Sequence, residues 1–472
     1  MTDQLDKLDK FLTKDEKATV TALETKLANH GIANHKVGKY YDEDYRIRNV
    51  GVIPDLPRLK ETVMGWGTTV VDTLEERVNL TGWTTPDADD EQRDTLDNLF
   101  SVSGAAEESH QGHLDAFIYG IGFISVTKGG PGEPPVLVRA HSALSATADI
   151  DPRTGLARSA ITRQSRTSQT LWTPNMIIEM TRVTDGGMWQ VTNRIPNSLG
   201  RCLVVPLVNR SRAGDRRGRS EITPAIRSYI NSATRSLKAM DVNREFFSAP
   251  QRYGTNVSPD QFVDADGNQV SGWKLSSRQM LMAPTDESGA EPKFGEFSTV
   301  SPGPYLEQIR GLAGLVATEA GMPEDYLGIH SSNPSSADAI RMQESRLVSR
   351  AKRRQNMFAP AWNEIGRLAL AILSGTTVEN VPYVISKFDN PATPTTAATV
   401  DALVKLIQVG ALPKNSEVVR EKAELFDEVD LRRLRDEMER QRSDDRIVAM
   451  AAMARGGAAT AAMEEDTGDS SY

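Results

Sequence analysis

Six short runs rich in β-branched residues follow one another between residues 121 and 208, and no helical stretch separates them. The runs are FISVTK, PVLVRAH, ARSAITRQ, MIIEMTRV, MWQVTN and CLVVPLV. DPRTG and TDGG lie between runs and are typical of hairpin turns. A parallel sheet of βαβ units would need helices between its strands. The sequence therefore predicts a small antiparallel β region in the first half of the chain.

Helical periodicity dominates the sequence on both sides of this region. LPRLKETVMGWGTTVVDTLEERV predicts a helix that ends before TGWTTPDADD, and a second helix runs from about Gln92 towards Tyr119. After Ser220 a long helix extends to the break at Ala249-Pro250. Its apolar stripe comprises Ile222, Ile226, Ile230, Ala233, Leu237, Met240 and Phe247. We expect an α+β fold that is mainly α-helical.

Residues 250–300 return to short strands and turns, including DADGNQV, and a second helical rod follows in PYLEQIRGLAGLVATEAG. Gly311 and Gly314 lie inside this rod, although an internal glycine costs about 1 kcal/mol relative to alanine. We expect them to allow close packing against neighbouring helices. GMPEDYLGIHSSNPSS is then typical of a loop.

The longest predicted helix runs from about Ser336 to Leu373. Its apolar stripe comprises Ile340, Leu347, Ala351, Phe358, Trp362, Ile365 and Ile372. Pro360 lies in its interior and removes one backbone hydrogen bond, which predicts a kink. Two more helices are expected between about Thr395 and Met453, and the tail GGAATAAMEEDTGDSSY is expected to be disordered.

Composition limits the classes of function. The net charge of -9 and the pI of about 5.4 argue against a protein that grips nucleic acid over its whole surface, since that needs clustered Lys and Arg. The single cysteine, Cys202, excludes an internal disulfide and a multi-cysteine metal site. No run approaches the roughly 20 apolar residues of a membrane span, and we expect neither a span nor a secretion signal.

Motifs for catalysis or metal binding do not emerge. GIANHKVGKYY has Tyr40 where a phosphate-binding loop needs Ser or Thr, and DADGN places its glycine too early for a calcium loop. His110 and His113, preceded by Glu107 and Glu108, lie one helical turn apart, which permits a metal site but favours a solvated helix face. We expect no enzymatic activity, no cofactor and no bound metal.

Two basic clusters stand out in this acidic chain. The first lies in NRSRAGDRRGRS and contains Arg210, Arg212, Arg216, Arg217 and Arg219. The second, on the long predicted helix, contains Arg346, Arg350, Arg353 and Arg354. Either cluster could contact phosphate groups, and either could instead form salt bridges with the acidic excess or contact other subunits.

Five strings, in this order, resemble the portal proteins of tailed bacteriophages: NSLGRCLVVPLVNR; GRSEI opening a helix that ends in FFSAPQRY; KFGEFS; GMPEDYLG; and NPSSADAIRMQESRLVSRAKRRQNMF. The resemblance extends over about residues 40–425. It implies a ring of about twelve subunits at one capsid vertex, a channel through which double-stranded DNA is packaged and ejected.

The resemblance also implies a division into wing, stem, clip and crown regions. Residues 1–220 would be the wing, 221–248 and 302–320 the two stem helices, and 250–300 the clip. Residues 321–336 would form a tunnel loop that faces DNA through His330, Ser331, Ser332, Asn333 and Pro334. Residues 337–373 would be the kinked wing helix, 374–455 the wing end and crown, and 456–472 a disordered tail.

Further partners follow from the same resemblance. They are the terminase large subunit, a head-completion or adaptor protein, and the major capsid and scaffolding proteins. The subunit would be made in the host cytoplasm and end in the virion. Two alternatives stay open at this point: another capsid component, such as a minor head or scaffolding protein, and a nucleic-acid-processing enzyme of a mobile element.

Overall fold

A computed structural model of the chain describes residues 11–47, 62–86, 90–247, 252–256, 280–282, 291, 293–296, 301–328, 337–392, 396–411 and 413, and the single residues 419, 437 and 440. The chain divides into two compact units, residues 1–391 and 392–472. In the second unit the structure describes one helix, Thr396–Gln408. The elements that follow all belong to the first unit.

Among the described residues, four helices and one strand precede the β region. Helix α1 (Lys14–Tyr41) begins with a capping box, in which Glu16 N–H donates to Thr13 Oγ1 at 3.3 Å and Thr13 N–H donates to the Glu16 carboxylate. Helix α2 (Trp66–Glu75), strand β1 (Leu80–Thr84), helix α3 (Asp90–Val102) and helix α4 (Ala105–Tyr119) follow.

The single helix expected over residues 92–119 was wrong, and strand β1 was missed. The helix expected over residues 92–119 is two helices, because Gly104 between them adopts φ 80°, which a helix cannot contain. The helix does end before TGWTT, as expected, and TGWTT contains most of strand β1, because its backbone pairs antiparallel with residues 385–388 far along the chain.

The β region is antiparallel, as predicted, and forms two sheets. Strands β2 (Ile121–Lys128), β3 (Val136–His141) and β9 (Val204–Val208) form a three-stranded sheet in the order β3-β2-β9. Strands β4 (Ala146–Ile150), β5 (Ala157–Ser165), β6 (Ser168–Trp172), β7 (Met176–Thr181) and β8 (Gln190–Pro196) form a five-stranded meander. All six predicted runs form strands, whereas β4 and β6 were missed.

Helix α1 covers one face of the five-stranded sheet. Val20, Leu23 and Leu27 lie one helical turn apart and are buried. They pack against a cluster of sheet residues that includes Ile161 and Leu171. The apolar stripe of α1 thus builds a second, smaller core beside the main one.

The two predicted rods flank a small sheet. Helix α5 (Pro224–Phe247) precedes strands β10 (Arg252–Thr255), β11 (Met280–Met282) and β12 (Lys293–Glu296), which pair in the order β11-β10-β12. Helix α6 (Gly303–Ala320) then packs against α5, where Ser236 Oγ donates to Gln308 Oε1 at 2.9 Å. The DADGN segment lies outside the described residues.

Helix α7 (Ala337–Ser374) is the longest of the described helices and runs through the main core. Phe358, Trp362 and Ile365 on its predicted stripe are fully buried. Trp83 Nε1 donates to the Trp362 carbonyl at 3.1 Å, and strand β13 (Ile385–Phe388) pairs antiparallel with β1. The helix is continuous through Pro360, and the kink there stays a prediction. No helix of the described ranges has the length and apolar character needed to cross a membrane.

Candidate functional site at the base of the 321–336 loop

The predicted DNA-facing loop begins where α6 ends. Gly321 closes this helix in the left-handed conformation (φ 63°), and Met322 N–H returns to the Ala317 carbonyl at 3.0 Å. A short 3-10 helix, Glu324–Leu327, follows and ends at Gly328. The five residues predicted to face DNA lie outside the described residues: His330, Ser331, Ser332, Asn333 and Pro334. The structure therefore shows the two flanks of the loop.

Three side chains, which we call the loop clasp, join these flanks. Tyr326, before the loop tip, donates its hydroxyl hydrogen to Glu344 Oε1 on α7 at 2.6 Å. Arg77 Nη2 lies 3.0 Å from the same carboxylate oxygen and 3.1 Å from the Tyr326 hydroxyl. Because Glu344 follows the loop tip and Tyr326 precedes it, the clasp closes the loop at its base.

A second group, the Glu221 cluster, lies just before α5 and consists of Glu221, Arg350, Arg354, Arg210 and Asn209. Glu221 is fully buried. Its Oε1 accepts from Arg354 at 2.9 and 2.7 Å and from Asn209 Nδ2 at 3.0 Å. Its Oε2 accepts from Arg350 at 2.7 Å, and Arg210 lies 3.6 Å away. Both carboxylate oxygens therefore have charged donors.

The charges of this cluster explain how a carboxylate can be buried there. Burial alone would raise the pKa of Glu221, but the guanidinium groups of Arg354, Arg350 and Arg210 hold that pKa below its ordinary value. Glu221 is therefore ionised at neutral pH. A buried charge is tolerated only when it is paired in this way, and removal of one partner leaves the others uncompensated.

The Glu221 cluster also contacts the start of the loop. A Cβ atom on Gly321 would lie 2.9 Å from Arg350 Cδ and 3.1 Å from Arg346 Nε. Thr223, two residues after Glu221, donates to Glu319 near the end of α6 at 3.3 Å. Three helices therefore meet at one charged centre beside the start of the loop: α5 at its beginning, α6 at its end and α7 along its length.

The comparison with known families decides what kind of protein carries this loop. The sequence matches the family described as phage portal protein, SPP1 Gp6-like, over residues 22–446. The chain belongs to this phage portal family.

Two curated relatives agree with the assignment. The portal protein of Mycobacterium phage L5 is 32% identical over 384 residues, which cover 78% of this chain and 77% of the relative. The portal protein of Mycobacterium phage D29 is 32% identical over 382 residues, with the same shares covered.

Solved structures of gene transfer agent particles match more distantly. A chain of the virion of a native gene transfer agent particle has a TM-score of 0.43 and 15% identity, covering 81% of this chain and 96% of that chain. A chain from the neck of a native particle, computed with C12 symmetry, has a TM-score of 0.41 and 13% identity, and the match covers 78% of this chain and 93% of that chain.

The four basic residues predicted on α7 separate into two pairs. Arg350 and Arg354 bind Glu221, which fits the salt-bridge interpretation of this basic cluster. Arg346 and Arg353 are exposed, and neither has an ion-pair partner among the residues that the structure describes. Contact of these four residues with DNA stays a prediction.

The two glycines of α6 differ in their surroundings. A Cβ on Gly314 would lie 3.1 Å from Glu324 Oε1, so this glycine allows the 3-10 helix to approach. No atom of the described chain lies within 4 Å of the corresponding position on Gly311, which is exposed. Packing of Gly311 against a second subunit stays a prediction.

The histidine pair of α4 does not share a solvated face, and that expectation was wrong for His113. His113 is fully buried, stacks on Phe358 and accepts from Trp362 Nε1 at 2.8 Å. Burial lowers the pKa of His113 to about 3, and the ring is neutral. His110 instead pairs with Glu75, and the described residues contain no group of three metal-binding side chains.

The sequence did not reveal the clasp or Glu221 as site residues. Arg77 and Glu344 lie far apart in the chain, and nothing local distinguishes them from surface charges. The one signal for Glu221 was its place in GRSEI, directly before a helix, where an acidic residue is favoured.

Proposed function

We propose that the chain is the subunit of a closed ring, of about twelve copies, at one vertex of a phage capsid. Double-stranded DNA would pass through the channel of this ring during packaging and ejection. Membership of the portal family over residues 22–446 supports this proposal. The subunit is structural and performs no catalysis in this account.

Within this proposal the regions follow the elements of the chain. Residues 1–220, with both antiparallel sheets, form the wing. Helices α5 and α6 form the stem, and the small β10–β12 sheet between them belongs to the clip. Helix α7 is the long wing helix, and residues 374–455 form the wing end and crown. The tail predicted over residues 456–472 lies outside the described residues.

The partners in this account are the terminase large subunit, a head-completion or adaptor protein, and the major capsid and scaffolding proteins. Subunits would assemble in the host cytoplasm and remain in the virion. Packaging energy would come from the terminase, since no phosphate-binding loop is present in the sequence.

The observation that carries the loop assignment is a hydrogen-bonded base beneath a tip whose sequence is uncharged. The loop clasp and the Glu221 cluster fix both flanks, whereas Ser331, Ser332 and Asn333 at the tip carry no charge. A surface that touches moving DNA must not hold it, because each bound Lys or Arg adds an electrostatic contact that has to break. The combination suits a loop that guides DNA without gripping it.

The test adds cations at the tip. Ser331→Arg together with Asn333→Arg should leave ring assembly intact and slow DNA packaging, most severely at low salt, where screening is weaker. The matched control is Ser165→Arg with Asn193→Arg, since both positions are exposed on the five-stranded sheet. Normal packaging by the tip variant at every salt concentration would show that the loop does not line the channel.

A further inference from the structure

A cavity of about 820 Å³ lies between α1, the β4–β5 hairpin, strand β9, the loop that follows β9, and α7. No part of the proposed channel function uses it. Its size is that of a site for several amino-acid side chains and is far larger than a single phosphate ion requires.

The lining combines apolar and cationic surfaces. Leu27, Phe123, Val205, Met357 and Ala361 contribute apolar side chains. The cationic lining residues are Lys26 from α1 and three arginines from the loop after β9, Arg212, Arg216 and Arg217. An occupant that matches this lining carries apolar groups and negative charge together.

The acidic side chains of the lining are already neutralised. Asp151 pairs with Arg158 at 3.4 Å, Asp215 with Arg217 at 3.4 Å, and Glu364 with Arg201 at 2.8 Å. These pairs use Arg217, and among the residues that the structure describes no carboxylate lies at salt-bridge distance from the other three cations of the lining.

Those three cations remain available to an anion. Lys26 Nζ donates to the Ala148 carbonyl at 2.7 Å, and Arg216 donates to the Pro152 carbonyl. The Arg212 side chain is exposed and has no hydrogen-bond or ion-pair partner within the described ranges. Neutral carbonyl groups satisfy donors without cancelling charge, so the cavity keeps a net positive lining in a chain with a net charge of -9.

The pKa values of two side chains on α1, Lys26 and His30, reflect the positive charge around the cavity. Burial lowers the pKa of Lys26, and Arg217 lowers it further while Asp149 opposes the shift. Burial, Lys26 and Arg217 together lower the pKa of His30, which also lines the cavity. Positive charges are therefore close enough to repel one another across this space.

We propose that the cavity receives an acidic peptide segment of another protein, with an apolar side chain against the Leu27 and Met357 surface and carboxylates near Lys26 and Arg212. A DNA duplex does not fit this description. Its phosphates lie on a convex rod, and its apolar thymine methyl groups lie inside the major groove, where they cannot enter a concave pocket. This inference goes beyond the channel proposed above and does not depend on the loop.

A single reporter cysteine tests the proposal in assembled particles. Ala213→Cys places a thiol on the cavity lining. The native Cys202 is buried, and burial raises the pKa of its thiol to about 12, so it stays unreactive at neutral pH. Maleimide should label Ala213→Cys in the purified protein, both monomeric and ring-shaped, and at least ~tenfold more slowly in assembled capsids.

A charge variant then tests the chemistry of the occupant. Lys26→Met with Arg212→Glu, added to Ala213→Cys, should restore labelling in capsids to within about twofold of the purified protein. Lys36→Met with Arg166→Glu makes the same changes at exposed positions outside the cavity and should leave the protection intact. Matching melting temperatures of the purified variants would show that the folds are unchanged.

Four outcomes would overturn the proposal. Equal labelling in capsids and purified protein would show an empty cavity. Protection already present in the purified ring would identify a second copy of this chain as the occupant. Protection in DNA-filled but not in empty capsids would identify nucleic acid. Protection that survives Lys26→Met with Arg212→Glu would show that charge does not hold the occupant.

Discussion

The Glu221 cluster predicts a large and specific loss of stability when its charge is removed. Glu221→Gln keeps the shape of the side chain but replaces one acceptor oxygen with an NH₂ group that faces arginine donors. Three guanidinium groups then share a buried site with no anion. Removing one partner of a buried ion pair costs about 3–5 kcal/mol, and we expect a loss of that size in the free energy of unfolding.

This loss in the free energy of unfolding corresponds to a measurable decrease in melting temperature. At about 2.1 cal/mol/K per residue, the unfolding entropy of the 391-residue unit is about 0.8 kcal/mol/K. Glu221→Gln should therefore lower the melting temperature of that unit by about 4–6 °C, measured by scanning calorimetry at pH 7.

The stability difference between wild type and Glu221→Gln should depend on pH in a defined direction. Because the folded-state pKa of Glu221 is lowered, its stabilisation is fully present above the pKa of the unfolded chain and is lost as pH falls through the folded value. Wild type and Glu221→Gln should therefore converge in acid. Glu179→Gln, at an exposed carboxylate on β7, is the matched control. A melting temperature for Glu221→Gln that equals that of the control at pH 7 would refute the reasoning.

Three further predictions concern neighbouring features. Tyr326→Phe removes the hydroxyl that bridges the loop flanks and should speed hydrogen exchange across residues 322–328 by at least about fivefold. The control Tyr305→Phe on α6 should leave that exchange rate unchanged. Equal exchange rates in the two variants would argue against the clasp. Gly321→Ala should lower the melting temperature more than Gly375→Ala, because both glycines have positive φ but only the first has an arginine against its Cβ position; equal losses would remove the packing argument. Asp115→Asn should stabilise the chain above pH 7, by on the order of 1 kcal/mol or more, because burial raises the pKa of Asp115 to about 7. Burying the ionised carboxylate destabilises the fold, so the stability advantage of Asp115→Asn over wild type should shrink as pH falls towards 4. Thermal melts would contradict this reasoning if the difference in melting temperature between variant and wild type were the same at pH 8 and pH 5.

The spacing of apolar residues predicted most of the helices and strands, because it shows which face of an element is buried. The stripe on α7 is an example, since Phe358 and Trp362 are both fully buried. The strands that were missed lack such a pattern. ATADI and SQTLW contain small and polar residues, and they are strands because their backbones pair with neighbouring strands, ATADI with β5 and SQTLW with β5 and β7.

The site could be predicted only in part, because its contacts join distant parts of the chain. Glu221 and Arg354 are 133 residues apart, and Arg77 and Glu344 are 267 apart. Sequence alone showed the basic character of α7, but not that two of its arginines serve a buried carboxylate. The same limit applies to His113, whose burial depends on Trp362 from another helix.

Electron microscopy of intact particles tests whether this chain forms a DNA channel at one capsid vertex. We predict one closed ring of about twelve copies per capsid, located at a single vertex, with residues 329–336 of each copy lining the channel around DNA. Copies distributed over the whole shell, or a ring in which residues 329–336 point away from the channel, would contradict it.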